Sequence, residues 1–247
     1  NIHLLPKTFF MLLYGLLIRI ATLPYYRIYQ FNAIGPLKRI ATLATESQES
    51  PKLLRAISRW RARKLTELQF ISISCAILAA AVIGAFSWIT IEEAYWLTHG
   101  FWHGSLVLSI LGILLSASQA TVLHILGPLP SPAKTSRYHN AIQRYVPILL
   151  SRTSDGWKPR MKMVFTWQCP MMFMAYSVCA FLAGLTILVC TPLIRREGAW
   201  NAGCNIAVMY LTVSAIAGTM FVFCSYWVYY YVDLDFETTG EEEELED

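Results

Sequence analysis

Charge is scarce in this sequence. Asp, Glu, Lys and Arg make up 15% of its 247 residues, and apolar residues make up 55%, whereas a soluble domain has about 25% charged residues. The shortage is confined to four long stretches without any charged residue, and the segments between them are rich in charge. Ion-coupled transporters, pumps and voltage sensors keep ionisable residues within the membrane. The uncharged stretches therefore argue against these classes.

Motifs that carry known chemistry are also missing. The sequence has no Walker-type glycine loop, no GxSxG nucleophile elbow, no CxxC pair and no Asp-rich motif that binds magnesium diphosphate. Five of the six cysteines lie in the uncharged stretches, where a free cysteine behaves as a small apolar residue. We therefore expect no disulfide framework, no bound cofactor and, on balance, no enzymatic activity.

The four uncharged stretches are long enough to cross a membrane. The first, residues 68–91, is about 36 Å long as a helix, against a hydrocarbon core of about 30 Å. The sequence therefore predicts an all-α polytopic membrane protein, a bundle of four transmembrane helices preceded by a basic amphipathic helix. The predicted spans are residues 68–91, 101–127, 171–191 and 204–232.

The segments that flank the membrane domain (68–232) differ in character. Residues 1–49 are predicted to be a cytosolic or interfacial region, and 233–247 an acidic tail that we expect to be disordered. Within the first of these, residues 9–29 leave three alternatives open: an interfacial amphipathic segment, a short fifth span or signal-like segment, and a stretch of no structural importance.

Orientation follows from the basic residues near the span ends. Residues 1–67 contain 11 Lys and Arg, and residues 134–162 contain seven. Basic flanks stay in the cytosol, so an even number of spans places both termini there. The span lengths do not distinguish the plasma membrane from internal membranes.

Residues 50–67 are predicted to form a basic amphipathic helix, with Ser50 as N-cap and Pro51 in the first turn. Its basic residues are Arg55, Arg59, Arg61, Arg63 and Lys64. We expect this helix to lie on anionic lipid head groups, at about 1 kcal/mol per basic residue near the surface. Two alternatives are an extension of a pore-lining helix and a docking site for the acidic tail. The adjacent span makes lipid a better polyanionic partner than nucleic acid.

A few polar residues near the span ends are candidates for chemistry. His99 and His103, four residues apart, share a helical face that suits a metal, although interfacial histidines are the commoner case. Glu92 and Glu93 are candidates for a pore mouth or simply end the helix at the water interface. Gln119 is interpreted as a hydrogen-bonding group between helices.

Small residues recur every fourth position in the first two spans. Ser72, Ala76, Ala80 and Gly84 form such a ladder in the first span, and Gly112, Ser116 and Ala120 form one in the second. Such faces let helix backbones approach closely. The ladders predict tight packing, either within one chain or between copies of it.

Three short segments carry a resemblance to known sequences: residues 65–71 (LTELQFI), 86–88 (FSW) and 167–170 (WQCP). Together with the small-residue first span, they resemble a group of uncharacterised multi-pass membrane proteins of filamentous fungi. The resemblance implies a fungal membrane protein and carries over no functional residue. The four-span plan is also similar to that of Orai-type calcium channels, whose acidic filter only Glu92 and Glu93 could imitate.

The leading functional hypothesis is a non-enzymatic multi-pass membrane protein, an accessory or scaffold subunit. Its charged segments would contact anionic lipid head groups, another membrane subunit or further copies of the chain. One alternative is an oligomeric ion channel lined by the first span. Another is a small membrane-embedded enzyme that acts on a hydrophobic substrate through His99, His103 or His124.

Overall fold

Helices account for nearly all of the regular structure. The computed structural model describes residues 34–46, 51–88, 94–127, 138–153, 156–195 and 200–245. In chain order, the elements are α1 (Gly35–Glu46), α2 (Pro51–Phe86), α3 (Trp96–Ile125), α4 (Tyr138–Leu149), β1 (Leu150–Thr153), β2 (Gly156–Pro159), α5 (Met161–Arg195) and α6 (Ala202–Leu245). Strands β1 and β2 pair antiparallel as a hairpin.

Four helices, α2, α3, α5 and α6, are long and apolar enough to cross a membrane. Among the described residues, they carry all the exposed large apolar side chains except Trp88, Tyr95 and Trp200. The first exposed large apolar residue on α2 is Phe70 and the first on α5 is Met161, whereas the last one on α3 is Ile125. A surface of this kind suits lipid rather than water. The predicted all-α polytopic membrane fold is therefore confirmed.

The helix bounds differ from the predicted spans in three places. Helix α2 runs without a break from Pro51 to Phe86, so the basic segment and the first span are one helix. Helix α5 begins at Met161, ten residues before the predicted span. It continues through Pro170, because a spanning helix tolerates proline when neighbouring groups satisfy the freed backbone groups. Helix α6 continues to Leu245, through the segment predicted to be disordered, since glutamate and leucine are good helix formers.

The described chain forms two units. Unit 1 comprises residues 34–88 and 101–181, and unit 2 comprises residues 94–100 and 182–245. In unit 2, the start of α6 packs on the end of α5: the hydroxyls of Thr186 and Tyr210 lie 3.0 Å apart, and a Cβ on Gly203 would lie 3.0 Å from Pro192 Cγ.

Unit 1 has an apolar core that its shorter elements help to build. We call α1, residues 51–67 of α2, α4 and the β1–β2 hairpin the cap. The apolar faces of these elements meet the ends of α3 and α5 in one cluster of buried side chains. Trp157 N donates to Thr45 Oγ1 at 3.1 Å, which ties the hairpin to α1. The segment between α3 and α5, predicted as a polar loop, is thus partly folded.

Candidate functional site: a basic cap and a buried polar layer

The surface of the cap and of the first residues of α5 is strongly basic. Its exposed basic residues are Lys38, Arg39, Lys52, Arg55, Arg59, Arg63, Arg144, Arg152, Lys158, Arg160 and Lys162. Glu46 is the one exposed acid among the described residues of this region, and no large apolar side chain is exposed on the described part of the cap. The cap therefore offers positive charge without a large exposed apolar side chain, which suits a polyanionic ligand. The exposed apolar surface of α5 begins beside it, at Met161.

The apolar face of the basic helix does not lie on lipid. Leu53, Leu54, Ile57 and Trp60 are buried, and α2 packs against α1 and α4. An interfacial helix needs this face to enter the membrane, so the predicted arrangement is wrong in that respect. Because α1 and α4 supply apolar faces of their own, the protein rather than the bilayer covers the helix. The exposed basic residues remain available on its other side.

Arg61 caps a helix instead of facing lipid. Its Nε and Nη2 atoms donate to Leu123 O, at 3.3 and 3.1 Å, near the end of α3. Tyr145 OH donates to Gly127 O at 2.8 Å, and Gly127 has a φ of 78°, a conformation that glycine adopts without strain at helix ends. Burial raises the pKa of the Tyr145 phenol, and the Arg61 cation opposes that rise. The positive charge of Arg61 also interacts favourably with the negative, C-terminal end of the α3 helix dipole.

Three buried serines join α3 to α5. Ser177 Oγ donates to Ser105 O at 2.6 Å, and Ser105 Oγ donates to Ser177 O at 2.8 Å. Ser109 Oγ lies 2.6 Å from Ser177 Oγ and donates to it, because the other proton is already used. We call these residues the serine clamp. Every hydroxyl proton in it has an acceptor, and the sequence-based reasoning missed it although Ser105 and Ser109 share a helix face.

A second group of buried polar residues lies on α3 and α5 closer to the cap. Gln119 Nε2 donates to Thr166 O at 2.7 Å, which confirms that Gln119 forms a hydrogen bond between helices. Together with the serine clamp, this contact shows that α3 and α5 run antiparallel. In that register Ser116 stands level with Gln168, and both side chains are buried.

Helix α2 contributes a largely buried ion pair to the adjoining part of the cap. Trp60 packs edge-to-face on Trp167, with ring centroids 5.6 Å apart, and Lys64 follows one turn later. Lys64 is 4% exposed, and its Nζ lies 2.8 Å from Glu67 Oε1. The structure therefore does not support a lipid-facing position for Lys64. The polar layer consists of Ser116, Gln119, Trp167 and Gln168, and the Lys64–Glu67 pair belongs to the adjoining cap.

Four atoms of the polar layer have no hydrogen-bond partner among the described residues. They are Ser116 Oγ, Gln119 Oε1, Trp167 Nε1 and Gln168 Oε1. Each unsatisfied buried group costs about 1–3 kcal/mol, so four would cost about 4–12 kcal/mol. A small domain has a free energy of unfolding of about 5–15 kcal/mol. A cost on that scale indicates that the layer has an unassigned partner.

The two small-residue ladders have different surroundings. In α3, a Cβ on Gly112 would lie 2.9 Å from Cys75 Sγ, and Ser116 and Ala120 are buried or half-buried. In α2, Ser72 is half-buried, whereas the other three residues of the ladder are exposed and a Cβ on Gly84 would meet nothing within 4 Å. The α3 ladder thus packs within unit 1, as predicted for one of the two alternatives.

The remaining candidates receive little support. The ring of His103 packs on that of Phe86, with centroids 4.8 Å apart, and the described residues contain no group of three or more His, Cys, Asp or Glu that could hold a metal. Glu92 and Glu93 lie outside the described residues, as does the segment 9–29. All six cysteines are free.

Comparison of the chain with protein-family models, with curated proteins and with solved structures finds no match. The resemblance to the fungal membrane-protein group therefore stays a prediction.

Proposed function

We propose that this integral membrane protein is a non-enzymatic scaffold or accessory subunit whose basic cap binds anionic lipid head groups on the cytosolic side. One observation carries the proposal: the exposed basic residues of a folded cap lie beside the point where the exposed apolar surface of the spanning helices begins. The missing catalytic motifs favour a role without catalysis.

Distance along the helices supports contact with head groups. Arg63 precedes the exposed Phe70 by seven residues, about 10 Å along α2, and Arg59 precedes it by about 16 Å. Lys162 precedes the exposed Phe165 by three residues on α5. Basic side chains at this level attract anionic lipid by about 1 kcal/mol each. Three of them would therefore bias the adjoining lipid population strongly.

Two triple variants that remove equal charge test the proposal. The first, Arg59→Gln with Arg63→Gln and Lys162→Gln, removes three basic residues from the parts of α2 and α5 that lead into the apolar surface. The control, Lys38→Gln with Arg144→Gln and Arg152→Gln, removes three from α1, α4 and the hairpin. Native mass spectrometry of the full chain, released from bilayers with equal amounts of phosphatidylcholine and phosphatidylserine, counts the lipids that remain bound.

We expect the first variant to lose most of its preference for phosphatidylserine and the control to keep it. Equal losses in both variants would indicate a general charge effect and not a head-group site. An unchanged preference in both would refute the lipid role. Loss in the control alone would move the anionic partner to the distal cap and favour a protein.

The cytosolic orientation is tested separately. Protease added to sealed microsomes should remove an epitope tag placed after Asp247, because both termini are proposed to be cytosolic. Protection of the tag would overturn the orientation and with it the assignment of the cap to the anionic leaflet.

A homo-oligomer, either a scaffold or a channel lined by α2, is a second candidate. The exposed ladder residues Ala76, Ala80 and Gly84 favour it, since small residues permit close helix contacts. Native mass spectrometry should then show several copies, and Gly84→Leu should dissociate them while Ile77→Leu, on an exposed neighbouring position, should not. A single copy in both cases would exclude this candidate.

A further inference from the structure

We propose that the polar layer is an internal water-binding site that joins α3 to α5. The observation behind it is the group of four buried polar atoms without partners, from Ser116, Gln119, Trp167 and Gln168. These residues are at most 6% exposed, so bulk solvent does not reach them. The inference does not depend on the proposed lipid binding.

Apolar side chains close the layer on both sides along the helices. Leu68, Leu123 and Val164 are buried on the side of the cap. Ile71 and Met171 are buried on the opposite side, in a separate apolar cluster. The open polar atoms thus lie within about one helical turn of each other along α3 and α5, between two apolar clusters.

The donor and acceptor character of the four unsatisfied atoms indicates which kind of ligand they can bind. Gln119 Oε1 and Gln168 Oε1 are acceptors, Trp167 Nε1 is a donor, and Ser116 Oγ serves as either. A cation cannot use the indole N–H. An anion would face the two amide oxygens, and a lipid or metabolite is too large for an enclosed layer. Water both donates and accepts, so it satisfies all four atoms.

The hydrogen bonds can be assigned without changing any existing contact. A water molecule accepts from Trp167 Nε1 and donates to the amide oxygens, while Gln119 Nε2 keeps its bond to Thr166 O. A buried water makes about three hydrogen bonds, so about one or two waters suffice for four atoms. The site then bridges two helices whose direct contact at this level is that single amide bond.

Magnetisation transfer from water to the glutamine side chains tests the site directly. The full chain, with ¹⁵N-labelled glutamine and isoleucine, is reconstituted in bilayers and measured by solid-state NMR. Signals are assigned by single substitutions, including exposed Gln69→Met as a matched control. We expect Gln119 and Gln168 to receive transfer severalfold faster than backbone amides of buried Ile71. Transfer as slow as at Ile71 would overturn the proposal.

Substitutions give an independent readout through the midpoint of thermal unfolding. Ser116→Ala removes only an atom without a protein partner. It should lower the midpoint by several degrees and slow the transfer to Gln168, because water loses one of its bonds. An unchanged or raised midpoint with unchanged transfer would show that the hydroxyl is truly unsatisfied and would refute the site. A midpoint that rises when sodium or potassium replaces choline would show a cation instead, which also overturns the proposal.

Discussion

In the serine clamp, the acceptor of each hydroxyl proton predicts how much stability each serine-to-alanine substitution removes. Substituting Ser177 by alanine removes its bond to Ser105 O and the bond that it accepts from Ser109. Ser105→Ala and Ser109→Ala each remove one hydrogen bond. A hydrogen bond between membrane helices contributes about 0.6 kcal/mol on average and up to about 1.7 kcal/mol. We therefore expect Ser177→Ala to cost about 1–2 kcal/mol and each of the others about half as much.

Double-mutant cycles sharpen this prediction. The bonds between Ser105 and Ser177 run from each hydroxyl to the other residue's backbone carbonyl, which a substitution by alanine retains. The hydroxyl oxygens of Ser105 and Ser177 also lie 3.0 Å apart, but this contact is not a hydrogen bond while both protons point to the carbonyls, so their coupling energy should be smaller than that of Ser109 with Ser177. Ser109 and Ser177 meet through their side chains, so their coupling should be about 0.6 kcal/mol.

The assay is equilibrium unfolding of the full chain in mixed micelles, followed by helical circular dichroism. Thr121→Val is the control, because the Thr121 hydroxyl is exposed and bonds to Ala117 O of its own helix; it should change the free energy of unfolding by less than about 0.5 kcal/mol. Strong coupling of Ser105 with Ser177 and none of Ser109 with Ser177 would refute the proton assignment. No loss in any serine variant would refute the clamp.

Three further predictions concern the cap and the packing of α2 and α3. Arg61→Gln should lower the free energy of unfolding by about 1.5–3 kcal/mol, since it removes charged hydrogen bonds, whereas exposed Arg63→Gln should change it by less than about 0.5 kcal/mol. Gly112→Ala should cost about 1–3 kcal/mol by crowding Cys75 Sγ, and Cys75→Ala should relieve that cost. Burial raises the pKa of Tyr145, so its contribution to stability is complete below about pH 10 and is lost as pH rises toward the raised pKa; unfolding measured from pH 8 to 11 should show a steeper loss than in Tyr145→Phe.

The cap contains signals that composition obscured. In α1 the buried residues are Leu37, Ile40, Ala41 and Ala44, and in α4 they include Ile142, Tyr145, Val146 and Leu149. Both sets follow the spacing i, i+3, i+4 and i+7 of an amphipathic helix. The same segments are rich in basic residues, which led to their prediction as an N-terminal flank and a loop. A count of apolar periodicity would have found both helices.

The four spans were predictable because length and absence of charge are sufficient for them. Which face of each span packs was not. Two ladders with the same spacing behave differently: Gly112 packs on Cys75, and Gly84 has open space. The buried residues of α2 include Ile71 and Cys75, each one position before a ladder residue. The pattern of a helix alone does not reveal which neighbour it meets.

The serines of α3 show the same limit at the level of single atoms. Ser105, Ser109 and Ser116 lie on one buried face and look alike in the sequence. The first two are satisfied because α5 places Ser177 opposite them, whereas Ser116 stands level with Gln168 and its hydroxyl has no partner among the described residues. Whether a buried hydroxyl stabilises the bundle or needs water thus depends on the antiparallel register of α3 and α5, which only the fold supplies.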